Sequence, residues 1–384
     1  MVIEGNFDDI RAYRDDEIPA AIERIVSDPL LVPAARYAFP DLDIEVVKQM
    51  LRQCKTTNDI QIKVMYHVVN NIVKSTSSGF ESMGAERVKS DTNGWLFISN
   101  HRDITLDAML MQFVLFRHQL PTTDISLGDN LLRPEIVFEI CKANNMVRII
   151  RKDDVSQREF LENSRHLAEY IRLRIVQEGR SLWIAQRNGR TKDGFDMTEP
   201  GLIKMFTLSG TGNFEEDFAE LHIAPVAISY EFEPCDVLKA IELCRRQSEE
   251  PYRKAENEDL ISILTGLKSY KGAINMTFCE PIQREELHAI AELPRVEQCK
   301  ALAELIDSRI HKEYRLFANN YIAYDMLHET DQFASKYDAV DKGHFEAHLA
   351  KAREAFVAAG VEVECAYRFL LGIYANPIES KMKY

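Results

Sequence analysis

The sequence predicts an α/β protein: a mixed central sheet with flanking helices, carrying helical extensions at both ends. Three observations predict it. From about 80 to 280, short apolar runs rich in β-formers alternate with stretches whose apolar residues recur three and four apart. Outside that region the helical period continues without strands. Several of the short runs end abruptly in polar and ionisable residues, as strands do where the carboxyl edge of an open sheet forms a site. The expected divisions are a helical N-terminal region at 1–78, an α/β core at 79–285 and a helical C-terminal region at 286–384. A chain of 384 residues accommodates one large domain with extensions, or two domains.

The first region reads as helices at Ile18 to Val26, Ile44 to Leu51 and Asp59 to Ser75, punctuated by Pro29, Pro33 and Pro40. Gly79, Gly84 and Asn93-Gly94 are turn signals. Trp95 to Ser99 is a buried strand, and Leu106 to Gln119 is a helix. Asp124 to Gly128 is the next strand. Arg133-Pro134 opens a helix to about Ala143, because proline suits a first turn. Met146 to Ile150 is a strand ending in Arg151-Lys152. A long helix over about Gln157 to Gln177 stops at Gly179. Ser181 to Ala185 is a strand that runs into the basic loop Gln186 to Gly194. Pro200-Gly201 begins a short helix to Ser209, and Ile223 to Phe232 is a strand. Residues 236 to 271 are mostly helical, and Ala273 to Phe278 is a last strand. From Pro294 the chain is helical, with breaks near Asp331 and Gly360.

Composition narrows the function. With 46% hydrophobic and 28% charged residues, the chain has the make-up of a soluble globular protein. No apolar run approaches the ~20 residues that span a bilayer. A net charge of −14 argues against nucleic acid as a partner, since that needs a basic surface. Seven scattered cysteines without a Cys-x-x-Cys pair suggest reduced thiols in a cytoplasm and no metal site.

The chemistry collects at strand ends. The stretch Trp95 to Asp107 is an apolar run, a tight exit and a helix start, with His101 at the mouth. Histidine exchanges a proton near neutral pH. Asp103 and Asp107 are both placed to orient its ring; Asp103 also suits a helix N-cap. Later strand ends contribute Arg148, Arg151 and Lys152, then Gln186, Arg187, Arg190 and Lys192 around Gly189. Guanidinium forks match phosphate oxygens bidentately, so these clusters suit an anionic group. Arg148 and Arg151 face opposite sides of a strand, and Arg151 is expected to face the site. Tyr230 and Glu231 are expected to be structural. His101-Arg-Asp also opens a protein-kinase catalytic loop. A kinase needs an asparagine five residues after Asp103, however, and position 108 is alanine.

Four blocks in order resemble the glycerolipid acyltransferase superfamily, which includes glycerol-3-phosphate and lysophosphatidate acyltransferases. Asn100-His101-Arg102 with Asp107 resembles its Asn-His-x-Ser-x-x-Asp block. Val147-Arg148-Ile149-Ile150-Arg151 resembles the second, and Arg187-Asn188-Gly189-Arg190-Thr191 the Glu-Gly-x-Arg-Ser of the third. Ile223 to Glu231, with Pro225, resembles the fourth. Two departures stand out. Five residues separate His101 from Asp107 where the family usually has four, and Gln186 or Arg187 stands near the place of the third-block glutamate.

The resemblance implies an O-acyltransferase with His101 as general base and Asp107, or else Asp103, as its partner. Arg102, Arg151, Lys152, Arg187, Gly189, Arg190, Thr191 and Lys192 are the expected substrate-binding residues. It implies an acyl thioester co-substrate, acyl-CoA or acyl carrier protein, with no cofactor and no metal. The acceptor would be a glycerol-phosphate or lysophospholipid. A lyso-aminolipid acceptor, or a catalytically weak lipid-binding scaffold of the same fold, is the alternative. The expected location is the cytoplasm, with transient contact at the membrane surface.

Overall fold

The computed structural model describes residues 3–88, 94–150, 155–247, 252–255 and 257–384. Its centre is β2 (Leu96–Ser99), whose four residues are all buried. Leu96 and Ile98 enter one core cluster with Ile184, Ile223 and Leu167, while Phe97 enters the other with Leu110, Val114 and Trp183. Side chains alternate across a strand, so helices on both faces of the sheet turn the sequence into an unbroken apolar run. Fully burying one such side chain contributes roughly 1.5–3 kcal/mol.

Six further strands complete the sheet among the described residues: β1 (Gly79–Met83), β3 (Asp124–Gly128), β4 (Met146–Ile149), β5 (Leu182–Ala185), β6 (Ile223–Tyr230) and β7 (Ala273–Phe278). Their order is β1-β7-β6-β2-β5-β3-β4. Every join is parallel except β6 with β7. The strand β2 therefore lies between β5 and β6, in register Ser99 with Ala185 and Ser99 with Val226. The loops that leave β2 and β5 emerge side by side.

Six of the seven strands lie where the apolar runs predict them. The exception, β1, sits on the sheet edge with exposed and half-buried residues only, so no apolar run announces it. The short helix Phe214–Ala219 was also not expected, and Arg284–Ala291, not singled out as an element, falls almost wholly within the C-terminal region expected to be helical. Between 236 and 271 two helices form, Asp236–Arg246 and Glu258–Lys268.

The terminal helices pack on the core rather than standing apart. Ile18–Ser27, Leu31–Ala38 and Ile44–Arg52 share a cluster with Ile136 and Ala143 of the helix Glu135–Ala143. Before them, Ile10 O accepts the Arg148 N–H at 2.9 Å and so covers the outer edge of β4. At the other end, Ala339–Ala358 and Val363–Lys383 pack against Ala240 and Ile241 of Asp236–Arg246. Among the described residues no helix is long and apolar enough to cross a membrane.

Candidate active site

Asn100 closes the exit of β2. Its side-chain oxygen accepts from Ile228 N at 2.8 Å, and its amide donates to Ile228 O at 2.8 Å and to Asp196 at 3.1 Å. That clamp fixes where His101 leaves the sheet. His101 Nδ1 lies 3.0 Å from Asp107 Oδ2. Asp107 sits in the first turn of the helix Leu106–Arg117 and is fully buried. Its Oδ2 also accepts from Arg102 N at 2.7 Å and Asp103 N at 2.9 Å, and its Oδ1 from the Tyr230 hydroxyl at 2.7 Å. Four donors thus hold one carboxyl group, which in turn fixes the imidazole. Nε2 is the ring nitrogen left to meet a substrate. Trp183 lies edge-on to the ring, with centroids 6.0 Å apart.

The extra residue between His101 and Asp107 is absorbed in the turn, not in the pair. Asp103, which was a candidate partner for the ring, does not bond to it. Its Oδ1 accepts from Thr105 N at 3.0 Å and Leu106 N at 2.8 Å, so it caps the helix. Its Oδ2 is buried without a partner among the described residues.

Two other expectations are corrected. Arg102 was expected to bind substrate, but it is buried at 1% exposure. Its guanidinium bonds Asp196 at 2.6 Å, approaches Glu233 at 3.6 Å and lies over the Tyr314 ring. Lys239 donates to Glu233 at 2.6 Å and to Arg102 O at 2.7 Å, closing a buried network of two cations and two carboxylates. Burial pushes the Asp196 carboxyl up, but Arg102 and Thr191 more than offset it and hold it below the usual value. Thr191 is also buried. Its hydroxyl donates to Asp196 at 2.7 Å and its N–H to His101 O at 2.7 Å. It binds the loop after β5 to the loop after β2, and meets no open space.

That loop turns at Gly189 and Gly194, with φ of 72° and 88°. Such backbone favours glycine. At Gly194 a Cβ would also stand 2.5 Å from Ile373 O.

A cavity of about 1060 Å³ opens in front of His101. Arg187, Gly189, Arg190 and Lys192, four of the residues named from sequence as substrate-binding, line it together with Ile104, Trp183, Ile149, Phe160, Leu167 and Leu202. Ser262 Oγ accepts from Arg190 Nη2 at 2.8 Å, while Nη1 is buried and has no partner among the described residues. Among the described residues no carboxylate pairs with Arg187 or Arg190. Lys192 pairs with Glu242, and burial pushes its ammonium below the usual lysine value. Arg148, expected to face away, also lines the cavity, with Asp129 at 3.3 Å. Arg151 and Lys152 lie outside the described residues. The arrangement puts a carboxylate-held imidazole, two guanidiniums and an apolar wall around one space.

Sequence reasoning missed Asp196, Tyr230 as a donor to Asp107, and the Glu233–Lys239 pair. The signal available for Tyr230 was its place at the end of an apolar strand. Asp196 lies in a loop with nothing in its own neighbourhood to mark it.

Residues 79–229 match the family model described as Acyltransferase. No curated protein matches the chain. Among solved structures, the 1-acyl-sn-glycerophosphate (LPA) acyltransferase PlsC of Thermotoga maritima is similar at 12% identity, covering 75% of this chain and 91% of that one, with a TM-score of 0.40.

Proposed function

We propose that this chain, whose residues 79–229 match an acyltransferase family model, moves a fatty acyl group from a thioester to a hydroxyl of a glycerol-phosphate or lysophospholipid acceptor. The observation that carries the reading is the His101–Asp107 pair facing a cavity that also holds Arg187 and Arg190. The acceptor hydroxyl gives its proton to His101 Nε2 as its oxygen attacks the thioester carbonyl carbon. The C–S bond then breaks, and the imidazolium returns the proton to the leaving thiolate. Asp107 keeps Nδ1 protonated and stabilises the imidazolium. A base so placed contributes about 10²–10⁴-fold, and joint confinement of the two substrates adds to it.

Arg190 and Arg187 hold the phosphate of the acceptor. The apolar wall formed by Phe160, Leu167 and Leu202 receives the acyl chain. The donor is acyl-CoA or an acylated acyl carrier protein, and with a lysophospholipid acceptor the reaction runs at the membrane surface where that acceptor resides. The test is transfer of one labelled acyl group from its thioester to a panel of glycerol-phosphate and lysophospholipid acceptors. A product with a phosphate-bearing acceptor that disappears in His101→Ala supports the reading. Undiminished transfer by that variant, or no transfer to any acceptor, ends it.

A further inference from the structure

The helix Glu258–Lys268 fully buries only small residues and leaves three of its large apolar side chains exposed. Its small residues Ser262 and Gly266 are buried, whereas Leu260, Ile261 and Leu264 are exposed, Ile261 at 53%. A surface helix ordinarily buries the apolar stripe and shows the small and polar one. The difference follows from what the inner side touches. Ser262 bonds Arg190, and its carbonyl accepts the Cys235 thiol at 3.1 Å. A Cβ at Gly266 would stand 2.0 Å from Asp103 Oδ2. Only small residues let the helix come so close to the site; Leu267 packs against the core beside them, and Leu260, Ile261 and Leu264 are left facing out.

Charge on this face runs against the rest of the chain. The stretches 29–40, 60–80 and 260–279 contain no Asp or Glu, in a chain that has 61 of them and a net charge of −14. The fold brings the three together. Tyr37 donates to Leu267 O at 3.0 Å, Asn71 to Ala38 O at 3.0 Å, and Lys271 N to Thr76 O at 2.8 Å. Arg36, Lys74 and Lys268 are exposed cations on these stretches, and Tyr37 and Tyr270 are exposed aromatics. The Lys268 ammonium lies 5.6 Å from the centroid of the Tyr37 ring. Apolar residues, amphipathic tyrosines and cations without carboxylates are the chemistry of a surface that meets anionic lipid. At the start of the same helix, Asp259 lines the cavity.

We propose that the face formed by Leu31–Ala38, Tyr66–Thr76 and residues 260–268 docks on an anionic lipid surface and sets the cavity mouth against it. The purpose of such docking rests on the acyl-transfer reading above; the docking itself is measured without it. Leu260, Ile261 and Leu264 enter the boundary of the acyl chains, while Arg36, Lys74 and Lys268 meet the head groups.

The test is co-sedimentation of the full chain with phosphatidylcholine vesicles, and with vesicles that also contain phosphatidylglycerol, at low and high salt. Binding is expected to the mixed vesicles and to weaken with salt. The triple variant Leu260→Ser, Ile261→Ser, Leu264→Ser is expected to lose at least about tenfold in binding. Arg36→Glu with Lys268→Glu is expected to lose about fivefold for each cation. All of these side chains are exposed, so thermal melting and transfer to a short-chain, water-soluble acceptor are expected to stay unchanged. Undiminished binding by the triple variant overturns the proposal, as does failure of the wild type to bind either vesicle. Conversion of a dimer to a monomer by the triple variant, read by light scattering, overturns it in favour of a contact between copies. Transfer to the soluble acceptor without vesicle binding ends this inference alone. Vesicle binding without any transfer ends the acyl-transfer reading alone.

Discussion

The Tyr230 hydroxyl donates to Asp107 Oδ1 at 2.7 Å, across the gap between the end of β6 and the first turn after β2. It leaves Oδ2 free for His101 and two backbone N–H groups. Tyr230 does not line the cavity in front of His101, so it would act on the reaction through Asp107. Tyr230→Phe keeps the ring in its buried place and removes the donor. A lost hydrogen bond to a charged group is worth about 1.5–3 kcal/mol, so kcat is expected to fall about tenfold or more with KM little changed. A variant with wild-type kcat and a normal pH profile would show that the bond only serves the fold.

The two aspartates near His101 are expected to separate cleanly. Asp107→Ala removes the partner of Nδ1, and its loss of kcat is expected to approach that of His101→Ala, on the order of 10²–10⁴-fold. Asp103→Ala removes a cap, which costs about 1 kcal/mol of stability, and retains most of the activity. Chemical denaturation and initial rates on the same preparations decide the matter. The reverse ranking of the two rates would make Asp103 the partner.

Two arginines of the same loops are expected to behave differently. Arg190→Ala removes a guanidinium from the cavity and should raise KM for a phosphate-bearing acceptor about tenfold or more, with the melting temperature nearly unchanged. Arg102→Ala strips a buried network of one cation and leaves Asp196 and Glu233 short of it. Breaking such a pair costs about 3–5 kcal/mol. Its signature is a large fall in stability. A selective rise in KM from Arg102→Ala, without that fall, would restore it to the substrate site.

Asp307 sets a pH dependence of stability. It accepts from Thr198 N at 2.8 Å and the Thr198 hydroxyl at 2.6 Å, and burial is the main reason its carboxyl is pushed up to about 6. The folded state therefore holds a proton that the unfolded chain releases between about pH 4 and 6. The stabilisation is present below about pH 4, and it declines as the pH rises to about 6. Asp307→Asn removes the titration and keeps an acceptor for Thr198. The variant is expected to gain on the wild type, by up to about 3 kcal/mol, on going from about pH 4 to pH 7. Urea unfolding at both pH values measures it; a difference independent of pH would rule the account out.

Legibility followed range along the chain. Strands β2, β3 and β7 are readable because burial on both faces makes apolar runs, and β1 is not because an edge strand needs none. His101, Arg187 and Arg190 are readable as polar residues that interrupt an apolar pattern at its end. Arg102 and Thr191 look the same in sequence, yet they point inward. Whether a cation faces a cavity or a buried carboxylate depends on a partner about ninety residues away, and local pattern holds no trace of it. The pairing of His101 with Asp107 rather than Asp103 is a matter of one turn's geometry, which spacing alone leaves open.

Asp196 joins what the chain keeps apart. It accepts from Asn100 and Arg102 after β2 and from Thr191 after β5, so one carboxyl group ties the turn that carries the base to the loop that carries the cations. The two loops are thereby coupled through a single buried side chain, so a substitution that removes the Asp196 carboxyl group would loosen both at once.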